Sequence, residues 1–355
     1  MKILRIYTRL PPLKGGMEKH IYHLSQEQIK LGHDVTIYFN QGDKTTNNDV
    51  QITKYPLDLT KPRALGILIF YFFIVFKLVF KKDKFDVVHI HGDWSSLVFS
   101  RLIKKLTNAN VLAFSIHDDI KERGIYKFIF SILLKQVDII FSTGFAAAEK
   151  IIMMRNKKVV VQPSGINKIF FNPHAKKFNS ATFQVITVAN LVAKKNLDLV
   201  LDIAKELKDF NFIIVGDGEK RKHLQNRIEN ESIKNLTLLG FCSPEEIREL
   251  YKESDLFLLT SFKEGTPTSI LEAMASGLPI ISSNAGGIKN IIKDGVNGFI
   301  VDGMIKQRYI NILIKCKDNL ENDIYKNNIE LANNYSWKNV SLKITNVLSG
   351  KLMND

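Results

Sequence analysis

The chain has 355 residues, of which 45% are hydrophobic and 24% are charged, and this composition is typical of a folded globular protein. It excludes collagen-like and disordered chains, and two cysteines, Cys242 and Cys316, are too few for a disulfide scaffold and favour a reducing compartment. Basic residues exceed acidic ones by 14, and residues 1–170 account for 12 of that excess, with 26 basic and 14 acidic side chains. The first half therefore favours an anionic partner; the alternative is a lysine-rich composition without a specific target.

Short apolar runs alternate with longer helical segments along the whole chain. The predicted helices include Met17–Leu31 and Leu197–Leu207, and an amphipathic tail begins near Tyr335. The predicted strands are Ile3–Tyr7, Val35–Phe39, Val87–Ile90, Val111–Ser115, Ile139–Ser142, Val159–Val161, Gln184–Ala189, Phe212–Val215, Leu236–Leu239, Leu256–Leu259, Pro279–Ser282 and Gly298–Val301. Strand and helix in repetition predict parallel sheets joined by right-handed crossovers.

A polar stretch without periodicity, Asn167–Ala181, predicts a seam between two such units. We therefore expect an N-terminal domain over residues 1–168 and a C-terminal domain over residues 169–335, each a doubly wound Rossmann-like sheet. The C-terminal helix, residues 336–355, is expected to pack back on the first domain.

The most apolar segment, Leu65–Phe80, has 16 residues and includes Lys77, whereas a membrane-spanning helix needs roughly 20 apolar residues. No signal-peptide core follows the N-terminus, because Arg5 and Arg9 interrupt its apolar run. Two interpretations of Leu65–Phe80 stay open: a helix packed on a sheet, or a helix at an anionic lipid surface that attracts the lysines around residues 77–84. Adjacent aromatic residues at 70–73 cannot all face one core.

In open α/β sheets, ligands bind at the carboxyl ends of the strands, so the residues after each strand are candidates for a site. In the first unit these are Gly15-Gly16, which open a helix that favours an anion, and the histidines His91 and His117. The alternatives are a plain turn and surface histidines. His91, His117 and Asp118 do not form a convincing set of metal ligands.

In the second unit, the strand that ends at Ala189 leads to Asn190 and Lys195, and a lysine there reaches phosphates at a helix start. The turn Gly216-Asp217-Gly218 is not a dinucleotide fingerprint, because no third glycine follows at the required spacing.

The segment after Leu256–Leu259 is the most informative, because it places two glutamates, Glu264 and Glu272, eight positions apart. Thr266, Thr268 and Ser269 supply hydroxyl and backbone N–H groups at a helix start, which suits a diphosphate. A carboxylate deeper in that helix accepts two hydroxyls, as a ribose presents them. The alternative is a capped helix with two solvated acids.

This segment resembles the signature of retaining glycosyltransferases of the GT-B fold, specifically glycosyltransferase family 4. The resemblance covers nearly the whole chain and implies two Rossmann-like domains that face each other across a cleft. It rests on the glutamate pair together with these further motifs: Gly15-Gly16-Met17-Glu18, Phe85-Asp86-Val87-Val88-His89-Ile90-His91-Gly92, Val161-Gln162-Pro163-Ser164-Gly165-Ile166-Asn167, Asn284-Ala285-Gly286-Gly287-Ile288 and Asp294-Gly295-Val296-Asn297-Gly298-Phe299.

The resemblance also implies roles for single residues. Lys195 matches the lysine that neutralises the donor diphosphate, Glu264 the glutamate on the donor sugar, and Glu272 the glutamate on the ribose. His117 matches the histidine near the reacting centre, and Gly16 matches the glycine whose N–H meets the donor phosphate. The expected catalytic residues are thus His117, Lys195 and Glu264, and the expected donor-binding residues are Gly16, Asn190, Lys195, Thr268, Ser269 and Glu272.

The chain departs from the family pattern at Asn190, where the family often has an arginine that grips the diphosphate with its guanidinium fork. No Asp-x-Asp motif is evident, and such enzymes usually use cations and helix dipoles in place of a metal, so no metal or cofactor is expected. No residue stands out as a covalent nucleophile, which favours front-side attack assisted by the leaving phosphate.

The expected function is the transfer of a sugar, with retention, from a UDP- or GDP-sugar to a hydroxyl of a glycan or lipid-linked acceptor in cell-surface polysaccharide or lipopolysaccharide synthesis. The expected location is the cytoplasm, at the inner face of the cytoplasmic membrane, in peripheral contact with anionic lipid. The expected acceptor cleft includes Gly16–His20, Trp94 and His117–Arg123, and the donor base lies near Phe241–Ser243. An alternative, motivated by Asn190, is a non-catalytic subunit that binds nucleotide-sugar.

Nucleic acid is not an expected partner despite an isoelectric point near 9.5. The sequence has no compact basic recognition helix, zinc set or aromatic RNA-binding motif.

Overall fold

The computed structural model describes residues 1–13, 16–43, 50–55, 63–117, 124–155, 158–171, 182–319 and 323–350. These residues form two compact units, the first made of Met1–Gly165 with Trp337–Asp355 and the second of Ile166–Ser336. The first unit therefore ends just before the predicted seam, of which residues 172–181 lie outside the described residues.

Strands and helices alternate as the apolar pattern predicts, and the described residues include thirteen strands and twelve α-helices. The strands are β1 (Lys2–Ile6), β2 (Asp34–Phe39), β3 (Gln51–Lys54), β4 (Val87–His91), β5 (Val111–Ile116), β6 (Ile139–Ser142), β7 (Val159–Val161), β8 (Phe183–Val188), β9 (Phe210–Val215), β10 (Leu236–Gly240), β11 (Leu256–Leu259), β12 (Ile280–Ser283) and β13 (Gly298–Val301). The helices are α1 (Gly16–Lys30), α2 (Arg63–Lys81), α3 (Ser100–Leu106), α4 (Gly124–Leu133), α5 (Phe145–Arg155), α6 (Leu197–Glu206), α7 (Arg221–Asn230), α8 (Pro244–Glu253), α9 (Thr268–Ala275), α10 (Lys306–Asn319), α11 (Asp323–Asn333) and α12 (Trp337–Leu348).

The first unit is a seven-stranded parallel sheet with the strand order β3-β2-β1-β4-β5-β6-β7. Most of its strands are largely apolar on both faces, because helices cover both faces of the sheet. Leu4, Val88 and Leu112 pack on one face with residues of α2 to α5. Ile3 and Val87 pack on the other face with residues of α1 and α12. The strand order reverses at β1, which fixes where a ligand is expected to bind.

The sequence did not predict β3, whose residues are QITK. It contains one strongly apolar side chain, and all four side chains are partly or fully exposed. β3 pairs only with β2, at the edge of the sheet. An edge strand needs no continuous apolar run, so periodicity alone does not reveal it.

Helix α12 returns the end of the chain to the first unit. Val340 and Ile344 are buried in the core that α1 covers, and Gln28 Nε2 donates a hydrogen bond to Thr345 Oγ1 at 3.0 Å. The amphipathic tail is therefore an integral layer of the first unit.

Helix α2 contains the apolar segment Leu65–Phe80 and packs one of its faces on the first sheet. Its buried face includes Phe70 and Tyr71, whereas the neighbouring Phe72 is 56% exposed and Phe80 is 71% exposed. The expectation that the adjacent aromatic residues point in different directions is thus confirmed. Lys77 of this helix is half-buried, its Nζ lies 4.9 Å from the Tyr38 ring centroid, and burial lowers its pKa. Among the described residues, no helix is long and apolar enough to cross a membrane.

The second unit is a six-stranded parallel sheet with the order β10-β9-β8-β11-β12-β13. Side chains of α6 and α10 cover one face, and those of α8, α9 and α11 cover the other. The order reverses at β8, which lies between β9 and β11. The loops that follow β8 and β11 therefore begin side by side at the carboxyl edge of the sheet.

Candidate active site

The loop after β8 carries Asn190 and Lys195 and turns sharply into α6. It forms a short 3-10 helix, Ala193–Lys195, and then Asn196 takes a left-handed conformation with φ +49°. Asparagine tolerates this conformation better than most residues, so the turn is compatible with the sequence. Thr260 Oγ1, at the end of β11, donates to the carbonyl oxygen of Asn196 at 3.0 Å and anchors the loop.

The turn Gly216-Asp217-Gly218 supports the same loop from β9. A Cβ atom at Gly216 would lie 1.9 Å from the carbonyl oxygen of Ala189, and one at Gly218 would lie 2.6 Å from that of Leu191. Only glycine fits at this approach, and both residues have positive φ. These glycines therefore serve the packing of the Asn190 loop.

Lys195 and Glu264 form the centre of the site in the second unit. Lys195 Nζ lies 2.5 Å from Glu264 Oε1, and the two side chains are 12% and 6% exposed. Ser261 Oγ donates to the same oxygen of Glu264 at 2.5 Å. Ser283 Oγ at the end of β12 in turn donates to the Ser261 carbonyl at 2.6 Å. Three adjacent strands, β8, β11 and β12, thus hold the ion pair.

The backbone of Glu264 lies against Gly286 of the Asn284-Ala285-Gly286-Gly287-Ile288 motif. Gly286 has φ +60°, and a Cβ atom there would lie 1.9 Å from the carbonyl oxygen of Glu264. In contrast, a Cβ atom at Gly265 would meet no atom within 4 Å in the described part of the chain. Packing therefore explains the glycine at position 286 and leaves the one at position 265 unexplained.

Helix α9 begins at Thr268, and in the described residues no side chain caps its N-terminus, because the N-cap residue is Pro267. Its first N–H groups are thus available to an anion. Thr268 and Glu272 are four positions apart and lie on the same side of the helix, and Ser269 is half-buried. Before the helix, Thr266 Oγ1 is buried without a hydrogen-bond partner among the described residues. A buried hydroxyl of this kind favours a ligand or a water that satisfies it.

Four histidines cluster in the first unit, on the face of the sheet that α1 covers. His91 Nδ1 lies 3.1 Å from His117 Nε2, and the rings of His89 and His91 have centroids 4.2 Å apart. The His20 ring centroid lies 5.0 Å from that of His117, and His20 Nδ1 lies 2.9 Å from Ser164 Oγ. His89 Nε2 lies 2.7 Å from Ser115 Oγ.

Burial keeps this cluster neutral. It lowers the pKa of His117 to about 4 and holds the pKa values of His20, His89 and His91 well below their usual range. Arg5, a fully buried cation on β1, lowers the last three further. Burial lowers the pKa of Arg5 itself to about 9, and its guanidinium donates to Ser25 Oγ and Gln28 Oε1.

The predicted site residues lie in both units, and those of the second unit include one pair in contact. Lys195 and Glu264 are in contact, and Thr268, Ser269 and Glu272 share one short helix. Asn190 is exposed at the end of β8, Gly16 is the exposed first residue of α1, and His117 is half-buried after β5.

Of the predicted acceptor residues, residues 118–123 lie outside the described residues, and so does Gly15 of the predicted glycine turn. Trp94 is half-buried and lies against Tyr126, with ring centroids 5.7 Å apart. His20 is 2% exposed, so it belongs to the buried cluster and does not line an open surface.

Sequence reasoning missed Thr260 and Ser261, which hold the Lys195 loop and Glu264. Both directly follow β11, so their position at a strand end was the available signal. Their role depends on β8 and β11 being neighbours, which no local pattern indicates.

Two family models match adjacent parts of the chain. The model described as Glycosyltransferase Family 4 matches residues 14–168, and the model described as Glycosyl transferases group 1 matches residues 168–331. The chain belongs to the family 4 glycosyltransferases. Its two parallel sheets match the GT-B fold, as the sequence predicted, and the predicted family is confirmed.

This glycosyltransferase is similar in sequence or in structure to the following three proteins. A human subunit of phosphatidylinositol N-acetylglucosaminyltransferase is 26% identical over 304 residues, which are 80% of this chain and 62% of that protein. An Escherichia coli UDP-Gal:alpha-D-GlcNAc-diphosphoundecaprenol alpha-1,3-galactosyltransferase is 28% identical over 277 residues, which are 69% of each protein. The crystal structure of Anabaena HepE in complex with UDP superposes with a TM-score of 0.78, at 20% identity, over 99% of this chain and 100% of that one.

The described residues of this glycosyltransferase do not provide the group of ligands that a metal ion requires. Among them, no set of three or more His, Cys, Asp or Glu side chains is arranged to hold a metal ion. At the carboxyl edge of its sheet, the second unit offers an anionic substrate the cation Lys195 and the uncapped start of α9.

Proposed function

We propose that this glycosyltransferase moves a sugar from a UDP-sugar to a hydroxyl of a lipid-linked glycan, with retention of the anomeric configuration and without a metal ion. The observation that carries the proposal is the buried Lys195–Glu264 pair beside the uncapped start of α9, at the carboxyl edge of a doubly wound sheet. This edge combines a cation, backbone N–H groups and carboxylates, which are the groups that a nucleotide-sugar requires.

In the proposed donor complex, Lys195 and the first N–H groups of α9 bind the diphosphate, and Thr268 and Ser269 add hydroxyl groups. Glu272 accepts hydrogen bonds from the two ribose hydroxyls, and Glu264 accepts from hydroxyls of the donor sugar. Asn190 contributes a neutral amide where the family often has arginine. Gly16, the exposed first residue of α1, offers its backbone N–H to the donor phosphate.

In the proposed reaction, the acceptor oxygen forms a bond to the anomeric carbon on the face from which the diphosphate leaves. The bond from that carbon to the phosphate oxygen breaks, the bonding electrons go to the diphosphate, and the acceptor proton passes to the leaving phosphate oxygen. Lys195 and the dipole of α9 stabilise the charge that develops on the diphosphate, so the step needs no metal. His117 contacts the substrate near the reacting centre.

UDP is the proposed donor nucleotide, with GDP as the alternative. UDP is supported by the E. coli relative, whose name includes UDP-Gal, and by the HepE structure, which contains UDP. A lipid-linked acceptor is supported by the names of both curated relatives, since one contains phosphatidylinositol and the other diphosphoundecaprenol.

Contact with an anionic membrane is the second part of the proposal, and it rests on the helices of the first unit. Helices α2 and α4 both pack against the 3-10 helix Trp94–Leu97, and both expose large apolar side chains. Phe80 on α2 is 71% exposed, and Phe128 on α4 is 67% exposed. Helices α2, α3 and α4 contain no acidic residue and seven basic ones. Exposed aromatic side chains beside cations suit an anionic lipid surface at the cytoplasmic face of a membrane.

Sedimentation with vesicles tests the membrane contact. The protein is expected to bind vesicles of phosphatidylcholine with phosphatidylglycerol, and to bind those of phosphatidylcholine alone less. Phe80→Ser and Phe128→Ser should each weaken binding, whereas Leu342→Ser, at a 42% exposed position on α12, should not. Equal binding to both vesicle types, or no binding, contradicts this part of the proposal.

A donor assay tests the function itself. Thermal unfolding is measured with UDP, GDP, ADP and CMP, and a ligand at one hundred times its dissociation constant should stabilise by roughly 2.7 kcal/mol. Transfer from UDP-glucose, UDP-galactose and UDP-N-acetylglucosamine to GlcNAc-diphosphoundecaprenol is then followed with and without EDTA, and NMR of the product reads the anomeric configuration. An inverted product or a loss of activity in EDTA contradicts the proposed reaction.

A second candidate function is a non-catalytic subunit that binds nucleotide-sugar. Asn190 favours it, because this residue lacks the charge of the arginine that the family often has, and the human relative is named as one subunit of its enzyme. This candidate predicts UDP binding without transfer. The variant Asn190→Arg, which restores the family residue, distinguishes the two candidates. If the unmodified protein binds UDP without transfer and Asn190→Arg gains transfer, the non-catalytic candidate is supported, whereas an enzyme transfers sugar without this substitution.

A further inference from the structure

One of the four ring nitrogens in the His91–His117 pair is buried without a hydrogen-bond partner among the described residues. His91 Nδ1 lies 3.1 Å from His117 Nε2, so one ring donates to the other. The remaining nitrogen of His91, Nε2, is buried and has no hydrogen-bond partner among the described residues. The ring is 1% exposed and lies against His89, with centroids 4.2 Å apart.

Two tautomers of the pair are possible, and they differ in what they leave unpaired. Both rings are neutral, because burial holds their pKa values low. If His117 Nε2–H donated to His91, the proton of His91 would sit on Nε2 as a buried N–H without an acceptor. If His91 Nδ1–H donates to His117, only a lone pair of His91 Nε2 is left. Buried N–H groups without acceptors are rarer in proteins than acceptors without donors, so the second arrangement is favoured.

We infer that His91 is a positioning residue, which donates Nδ1–H to His117 Nε2 and thereby holds His117 in the tautomer with its proton on Nδ1. His117 then presents an N–H donor from Nδ1, and its one basic nitrogen is occupied by His91. Nδ1 of His117 has no partner within the described residues, and its side chain is half-buried after β5. The neighbouring His20 pairs through its own Nδ1 with Ser164 Oγ.

This inference rests on the proposed function, in which His117 binds near the reacting centre, and it defines what His117 does there. A histidine held as an N–H donor binds an oxygen of the substrate, such as a sugar hydroxyl or carbonyl. It does not act as the base that removes the acceptor proton, which agrees with a reaction in which the leaving phosphate takes that proton. His91 touches no substrate and acts only through His117.

Nitrogen-15 NMR of the ligand-free protein tests the tautomer directly. In protein labelled at its histidine nitrogens, long-range proton–nitrogen correlations report which nitrogen of each ring is protonated, and His117→Gln assigns the signals. We expect both His91 and His117 to be protonated on Nδ1. A His117 ring protonated on Nε2 overturns the inference, and this result is independent of whether the protein transfers sugar.

Two variants at position 91 test the positioning role. His91→Asn keeps an N–H donor near the place of Nδ1, whereas His91→Leu has a similar size and no donor. We expect His91→Leu to release the His117 tautomer and to lower kcat by about ten- to hundredfold with a smaller change in KM for the UDP-sugar. His91→Asn should restore both the tautomer and kcat.

Equal losses in the two variants, or an unchanged His117 tautomer in His91→Leu, contradict the inference. If no sugar is transferred by the unmodified protein either, the proposed function fails, while the tautomer measurement still decides the role of His91. If His91→Leu does not fold, the unmodified protein and His91→Asn carry the test.

Discussion

Lys195 and Glu264 are 69 residues apart in the chain, and their side chains meet with 2.5 Å between Nζ and Oε1. In the proposed donor complex, the diphosphate therefore shares Lys195 with a carboxylate of opposite charge. The pair also holds Lys195 in one position before any donor binds, because both side chains are nearly buried. The same contact thus orients the cation and weakens its net charge, and these two effects have opposite consequences for binding and for catalysis.

Glu264→Gln separates the two effects. Glutamine keeps the shape and still accepts from Ser261, but it no longer neutralises Lys195. We expect UDP to bind as tightly as before or more tightly, while transfer falls by about 10²- to 10³-fold, since the group that we propose to contact the sugar has lost its charge. Calorimetry with UDP and a transfer assay measure the two quantities. Glu27→Gln, in the surface pair Lys30–Glu27, is the control and should change neither.

Lys195→Ala should abolish UDP binding and also destabilise the second unit, because it leaves a buried carboxylate without its partner. The double variant Lys195→Ala with Glu264→Gln should recover stability and remain unable to bind UDP. If the single variant binds UDP normally, Lys195 is not a diphosphate ligand.

Much of this arrangement could be predicted from the sequence because parallel strands are buried on both faces. Runs such as Val159–Val161 and Leu256–Leu259 are apolar throughout, and runs that are wholly or mostly apolar locate twelve of the thirteen strands. The residues after each strand then gave Lys195, Glu264 and His117 as candidates, and their roles came from the resemblance to the family.

Other features depend on which strands are neighbours, and local sequence does not encode that. The Lys195–Glu264 contact requires β8 to pair with β11, where Val185 lies opposite Leu256. The histidine cluster likewise requires β4 to lie beside β5, so that His91 lies opposite Ser115. Arg5 looked like an interruption of an apolar run, yet it is fully buried because Ser25 and Gln28 of α1 accept its hydrogen bonds.

Alanine substitutions at the two glycines near Glu264 should have different effects, one mainly on stability and the other mainly on donor binding. Gly286 has φ +60° and lies against the Glu264 carbonyl, so Gly286→Ala should destabilise by at least about 1–2 kcal/mol and displace the loop. Gly265 has open space beside it, so Gly265→Ala should change stability by less than about 1 kcal/mol. We nevertheless expect Gly265→Ala to weaken UDP-sugar binding, because the added methyl group narrows the donor site.

Thermal unfolding and UDP-sugar titration of the two variants measure this difference. A Gly265→Ala protein that is stable and binds the donor normally would show that no ligand approaches position 265. A Gly286→Ala protein with unchanged stability would contradict the close approach of Gly286 to Glu264.

Acid should destabilise the first unit through its buried histidines. The folded pKa of His117 is about 4, and those of His20, His89 and His91 are also lowered, chiefly by burial. The unfolded chain takes up these protons below about pH 6.5, whereas the folded chain does not, so stability is full above that pH and is lost as the pH falls. Between its unfolded and its folded pKa, each histidine lowers the free energy of unfolding by up to about 1.4 kcal/mol for each pH unit of acidification.

Urea unfolding at about pH 7.5 and about pH 5.5, followed by hydrogen exchange of β4 and β5, measures the loss. His89→Phe removes one of these protons and should reduce the dependence on pH, even if it lowers stability at the higher pH. An unfolding midpoint that rises on acidification would contradict the neutral state of the cluster.

Helix α12 should contribute to the stability of the first unit through one face only. Ile344 is 2% exposed and packs in the core with residues of α1, whereas Leu342, two positions earlier, is 42% exposed. Ile344→Ala removes buried methyl groups and leaves a cavity, so we expect a loss of about 2–5 kcal/mol in the free energy of unfolding. Leu342→Ala on the same helix should cost less than about 0.5 kcal/mol. Equal losses in urea unfolding would mean that α12 does not pack on α1 in this register.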